Sequence, residues 1–111
     1  MAEVYKRLGA VSPTATTNTA LYTVPAATSA ILDGITVCNR DSGAHTFRLA
    51  HVDGAVGDIA NEDYIFYNVS LPANSTLEGL LKGRCMSAGH TILVYVDSAN
   101  FSFTVGGMEV T

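Results

Sequence analysis

Three histidines, two cysteines and one acidic stretch are the side chains here whose chemistry could go beyond packing. His45, His51 and His90 show no HxxxH or HxH spacing, and Cys38 and Cys85 form no CxxC pair, so local geometry places no two of them on one metal ion. His51 alternates with Phe47 and Leu49, which reads as a satisfied histidine of the core or sheet surface. The stretch DGAVGDIANED gathers Asp53, Asp58, Glu62 and Asp63 but lacks the DxDxDG order of a calcium loop. Glu62 and Asp63 are neighbours, and neighbours in a strand point to opposite faces, which is poor geometry for shared acid–base work. Serine, histidine and aspartate are all available, yet no GxSxG elbow marks a nucleophile. No glycine run opens a helix as a phosphate cradle does. Asn68-Val69-Ser70, Asn74-Ser75-Thr76 and Asn100-Phe101-Ser102 read as turn and strand-edge residues rather than glycan acceptors. The expectation is a protein that is not an enzyme, with no catalytic residue, no metal site and no cofactor.

Composition narrows the classes further. The chain has 111 residues, 48% hydrophobic and 14% charged, with a net charge of −4, which suits one domain with few charges. No cluster of Lys and Arg is present to neutralise phosphates, so nucleic acid is not an expected partner. MAEVYKRLGA carries charge early and has no apolar core of a signal peptide, and no apolar run is long enough to cross a membrane. The expected place of synthesis is therefore a cytoplasm. Cys38, inside ITVCN, is expected to pack as a small hydrophobe rather than to form a bridge with Cys85.

The elements that must carry these residues are strands. Thr19–Val24 ends on Pro25, which has no N–H to give a ladder, and Ala26 to Ser29 turns the chain. Residues 29–39 follow, with Ile31, Ile35 and Val37 on one face and a bulge at Asp33-Gly34. Residues 45–52, 64–71, 75–82, 91–96 and 101–105 alternate in the same way, and Gly106-Gly107 is expected to bend the chain before Met108. In 64–71 the alternation sets Ile65, Tyr67, Val69 and Leu71 against Tyr64, Phe66 and Asn68. Helix signals are thin. The pattern predicts an all-β, single-domain, jelly-roll-like β-sandwich of seven or eight short antiparallel strands. It spans residues 19–111, preceded over 1–18 by an arm and a Thr/Ala linker whose tip offers Tyr5, Lys6 and Arg7 as interface residues, an edge strand or a loose terminus being the other readings of that tip.

The order of segments carries a resemblance. YKRLG, then LYTVPAATSAILDGITVCNR, TFRLA, NEDYIFYNVSLPANSTLEG and ILVYVDSANFSFTVGGMEVT together resemble a family of small tailed-bacteriophage virion proteins. Its distinctive marks are a hairpin from YTVPA to VCNR, the turn at Asn74 and the VYVDSANFSF ending. The resemblance implies a capsid cement or decoration protein on the outer surface of a virion, bound to the major capsid protein. A homotrimer suits a three-fold point of the shell. A neck, tail or fibre component, and a carbohydrate-binding module, are the alternatives. The second would need an exposed aromatic platform, and the chain has no Trp.

Overall fold

A computed structural model describes residues 3–111 as two antiparallel sheets packed face to face. The strands are β1 (Glu3–Val11), β2 (Thr19–Thr23), β3 (Ser29–Asn39), β4 (His45–Val52), β5 (Tyr64–Leu71), β6 (Thr76–Leu80), β7 (Cys85–Met86), β8 (Thr91–Val96) and β9 (Phe101–Val110). One sheet runs β1-β9-β3-β6, with the two-residue β7 beside β3, and the other runs β2-β8-β4-β5. Every connection changes sheet except β4 to β5 and the short step through β7. With β7 left out, this is the connectivity of a jelly roll, two interleaved Greek keys. Among the described residues there is no α-helix, only two 3-10 turns, Val56–Asp58 and Asn61–Asp63.

The core lies between the sheets. Leu32, Ile35, Val37, Phe101, Phe103 and Val105 from one sheet meet Phe47, Leu49, Ile92, Val94 and Val96 from the other. A second, smaller core lies on the outside of the four-stranded sheet. There Ala50, Val52 and Leu93 are covered by Val56, Ile59, Tyr64 and Tyr95. The 53–63 loop is therefore a lid folded onto the sheet. This explains why β8 has buried residues on both faces, a pattern that alternation alone leaves ambiguous.

Several expectations hold and several are corrected. β2 ends before Pro25 and the chain turns through Ala27 at positive φ, as the missing donor required. The next strand lies in the opposite sheet, however, so YTVPA to VCNR is a crossover between sheets and not a hairpin. The bulge at Asp33 is present, with Gly34 at φ 140° and the register shifting between Leu32 and Gly34. One extra residue reverses the pleat, so Ala30 and Leu32 point inward before it, and Ile35, Val37 and Asn39 after it. Ile31, expected beside Ile35 and Val37, consequently faces out.

Residues 106–107 do not bend the chain. β9 runs straight through to Val110, and a Cβ on Gly107 would lie 2.3 Å from the Ile31 carbonyl oxygen. That glycine serves close backbone approach, not a turn.

The largest correction concerns the N-terminal segment. Glu3–Val11 is no arm. It is a nine-residue edge strand paired along its length with β9, from Glu3 opposite Val110 to Val11 opposite Phe103. The expected linker is pinned as well. Ser12 donates to the Phe101 carbonyl at 2.9 Å, Pro13 is buried, and the Thr16 amide donates to the Val96 carbonyl at 2.7 Å. Small residues and threonines fit here because the chain must cross tightly from one sheet to the other.

Cys38 and Cys85 are unpaired. Cys85 sits opposite Ile31, so Cys38 lies roughly 23 Å away along β3 at ~3.3 Å per residue, far beyond disulfide reach. Neither thiol is fully buried, which corrects the expectation of a core cysteine at position 38.

Candidate functional site

The histidines that sequence spacing left unrelated are joined by the fold into two clusters. At one end of the sandwich Arg84 Nε donates to His51 Nδ1 at 2.8 Å, and His51 Nε2 lies 2.8 Å from His90 Nδ1. His90 Nε2 in turn lies 2.9 Å from Asp53 Oδ1. The Arg84 donor fixes the tautomers, because His51 Nδ1 must accept. The proton of each ring is therefore on Nε2, that of His51 aimed at His90 and that of His90 at Asp53. A second proton on His51 would face the Arg84 N–H. Burial, the Arg84 guanidinium and the His90 ring accordingly hold the His51 imidazole below its ordinary value.

The chain of contacts ties β4 to the segments flanking β7, across the two sheets. Because the folded His51 binds its proton more weakly than the unfolded one, acid favours unfolding. Stability should fall as pH drops from about 6.5 through the depressed folded value. Urea midpoints measured at pH 7.5 and pH 5 should show this decline. In His51→Gln the decline should shrink, and an unchanged decline would show that this histidine is not its source.

At the other end His45 lies between Asp41, 3.2 Å from Nε2, and Asp97, 3.1 Å from Nδ1. Asp41 also accepts from Ser98 Oγ at 2.8 Å and Asn100 Nδ2 at 3.2 Å, and these bonds lower its carboxyl to about 2. Serine, aspartate and histidine do meet here, but the carboxylate stands between the other two. Ser98 donates to Asp41 and has no base to take its proton, the reverse of what a nucleophile needs. The cluster ties the β3–β4 turn to the β8–β9 turn.

The acidic loop is likewise used in building the fold. Asp58 Oδ2 accepts from the Ala55 amide at 3.0 Å and Asp63 Oδ2 from the Ala60 amide at 2.9 Å, each capping one 3-10 turn. No group of three or more His, Cys, Asp or Glu is placed to hold a metal ion among the described residues. No helix there is long and apolar enough to cross a membrane.

What remains are the two outer faces. On the five-stranded sheet the register sets Tyr5, Met108, Ile31 and Cys85 in one row across β1, β9, β3 and β7. Tyr5 is 77% exposed and Ile31 40%. Tyr5, Ile31 and Met108, with Asp33 and Lys82, line a shallow cleft of about 160 Å³. Of the three expected interface residues, Tyr5 and Arg7 point out from this face. Lys6 is on the other side of the pleat, 2.9 Å from Glu109, whose carboxylate also accepts from the buried Tyr22 hydroxyl. Lys6 is thus spent on an internal ion pair. Both donors hold the Glu109 carboxyl below its usual range, while burial and that carboxylate push the Tyr22 hydroxyl up.

On the four-stranded sheet a different group forms. The Arg48 guanidinium lies 4.2 Å from the Tyr67 ring centre and 4.3 Å from that of Tyr95, and its Nε donates to Asn68 Oδ1 at 2.7 Å. Tyr64 stands edge-on to Tyr67, with centroids 5.0 Å apart at 85°. A bulge in β5 builds this cluster. Asn68 adopts φ 51° and the register slips between Phe47 and Leu49, so Tyr67 joins the outer face while Phe66 and Val69 pack on the core, and a second slip between Leu49 and Ala50 brings Tyr64 to the outer face as well. Strict alternation had split the tyrosines between faces and so hid the group. The only sequence signal was Asn68, a residue tolerant of positive φ in the middle of a strand.

No protein-family profile, curated protein or solved structure matches this chain.

Proposed function

We propose that the protein is a structural component of a bacteriophage virion, a capsid cement that binds neighbouring major capsid subunits and stabilises the shell without catalysing a reaction. The observation that carries this reading is the outer face of the five-stranded sheet. A row of apolar side chains, the exposed Tyr5 and Ile31 with the half-buried Met108 between them, runs inward from the long open edge of β1, with Arg7 and Lys82 beside it. Aromatic and arginine anchors flanked by charge are what a docking face needs. The unpaired edge of β1 gives a neighbouring subunit backbone donors and acceptors, and self-association into a trimer would cover it. The polar clusters at both ends hold turns in place, which suits a rigid plug. Binding only to the assembled shell would stabilise that state by mass action.

Binding of the purified full chain to empty shells tests the proposal. Tyr5→Glu and Ile31→Lys each place a charge in the row, at positions exposed enough for the fold to persist. The expected result is loss of shell binding, by tenfold or more, with an unchanged urea midpoint. Wild-type binding by both variants, or a copy number of only a few per particle at the neck or tail, would overturn the cement reading.

A further inference from the structure

We infer that residues 3–7 of β1 form a self-recognition site, at which a second copy of this chain adds its own β1 antiparallel, with Tyr5 opposite Tyr5 across a two-fold axis. Four strands end the two sheets: β1, β6, β2 and β5. β2, β5 and β6 each slip register against their inner neighbour, whereas Glu3 to Arg7 pair with Val110 to Gly106 without a break. All five of these β1 residues are exposed. β1 is thus the one sheet end that offers five consecutive residues of regular ladder to another strand.

The charges select both the occupant and the register. Glu3 and Arg7 share the outer face with Tyr5 but stand ~13 Å apart along the strand, too far to meet each other. Among the described residues neither makes an ion pair. A two-fold axis normal to the sheet sets outer-face residues opposite outer-face residues, which leaves few registers. Centred on Tyr5, the pairing places Glu3 opposite the partner's Arg7 and Arg7 opposite the partner's Glu3. Two cross-strand pairs of opposite charge then flank two tyrosine rings. On the inner face Val4 meets the stem of the partner's Lys6, a residue whose charge Glu109 of its own chain already neutralises. Centred on Val4, only three residues pair and no charges meet. Centred on Lys6 or Arg7, like charges face each other and the ladder crosses the register shift at Leu8.

No other sheet end answers β1 as well. β2 and β5 carry no charge and β6 carries only Glu78, so none of them matches Glu3 and Arg7 together. The pairing is isologous and closes at two copies, so it and a trimer are alternative covers for this edge. It also aligns the rows already described: Ile31, Met108 and Tyr5 of one copy run on into the same three side chains of the other. The apolar row proposed to face the shell is doubled, but the pairing itself requires no shell. Five residues a side make a contact smaller than a standard interface, so the expected dimer is concentration-dependent, with a Kd of about 1–100 μM.

Analytical sedimentation of the full chain from about 1 μM to about 1 mM, without shells, tests the pairing. The mass should rise from 11.6 kDa toward twice that value, and amide exchange within residues 3–7 should slow as it does so. Glu3→Arg sets arginines face to face and Arg7→Glu sets glutamates face to face, so each variant alone should dimerise at least about tenfold more weakly. Mixed in equal amounts, the two variants should pair with each other, since every charge then meets its opposite. One chain carrying both substitutions should recover the wild-type mass for the same reason. A monomer mass throughout the range, or a trimer mass, would overturn the inference. So would dimers that neither single substitution weakens, or single variants with wild-type urea midpoints whose mixture stays apart. The wild-type mass and exchange need no substitution to fold.

Discussion

Asn39→Asp is expected to destabilise the protein by about 3–5 kcal/mol at pH 7, the usual cost of an unpaired buried charge. Asn39 is fully buried at the end of β3. Its side-chain amide nitrogen lies 3.0 Å from the Gly43 carbonyl, 3.0 Å from that of Leu71 and 3.2 Å from that of Pro72. Its Oδ1 accepts from the Asp41 amide at 2.9 Å. One side chain therefore clamps the β3–β4 turn to the end of β5 and the turn into β6. Aspartate has the same shape but would aim a carboxylate oxygen at three carbonyl oxygens.

Two controls separate shape from charge. Asn39→Ala should cost less than the aspartate, because it leaves carbonyls without donors but adds no charge. The aspartate variant should also recover stability in acid. Its folded carboxyl would titrate above the unfolded value of about 3.9, so the folded state takes up its proton first, and the penalty shrinks as pH falls through that raised value. Urea melts at pH 7 and pH 4.5 read both effects. A loss at pH 7 no greater than that of the alanine variant would show that the three carbonyls do not surround the side chain as described.

Phe47→Ala is expected to cost a similar amount, about 3–5 kcal/mol, through a different mechanism. Phe47 is fully buried in β4, with ring centroids 6.2 Å from Phe66, 6.4 Å from Phe101 and 6.2 Å from Phe103. It is the point where the two sheets and the β5 edge meet. Removing the ring leaves a void bordered by strands that hydrogen bonds hold in register, so collapse is limited. Phe47→Leu should recover most of the loss, since it keeps much of the volume. Urea midpoints of the two variants give the comparison, and a loss under 1 kcal/mol for the alanine would place the weight of the core elsewhere.

These two residues also show what could be read without the fold. Phe47 belongs to a run that alternates with period two, so its place in a core was legible from its neighbours alone. Asn39 was not singled out. Its role depends on carbonyls more than thirty positions away that only the jelly-roll connectivity brings to it. The same holds for His51 and His90, whose partnership arises because β4 and β8 are neighbours in one sheet. Tyr5 was legible as an exposed aromatic, but its companions Met108 and Ile31 needed the register of three strands to be known.

Local sequence thus determined that this chain forms short strands, where most of them begin and end, and that Pro25 and the Asp33-Gly34 pair interrupt the ladder. Those features depend on φ restriction, missing donors and the two-residue pleat, all properties of a few adjacent residues. Tertiary structure decided which strand lies beside which, that Glu3–Val11 is an edge strand rather than an arm, and which side chains share an outer face. A strand's edge is satisfied only by another strand, and one inserted residue reverses every side chain beyond it, so pairing and register belong to the whole molecule.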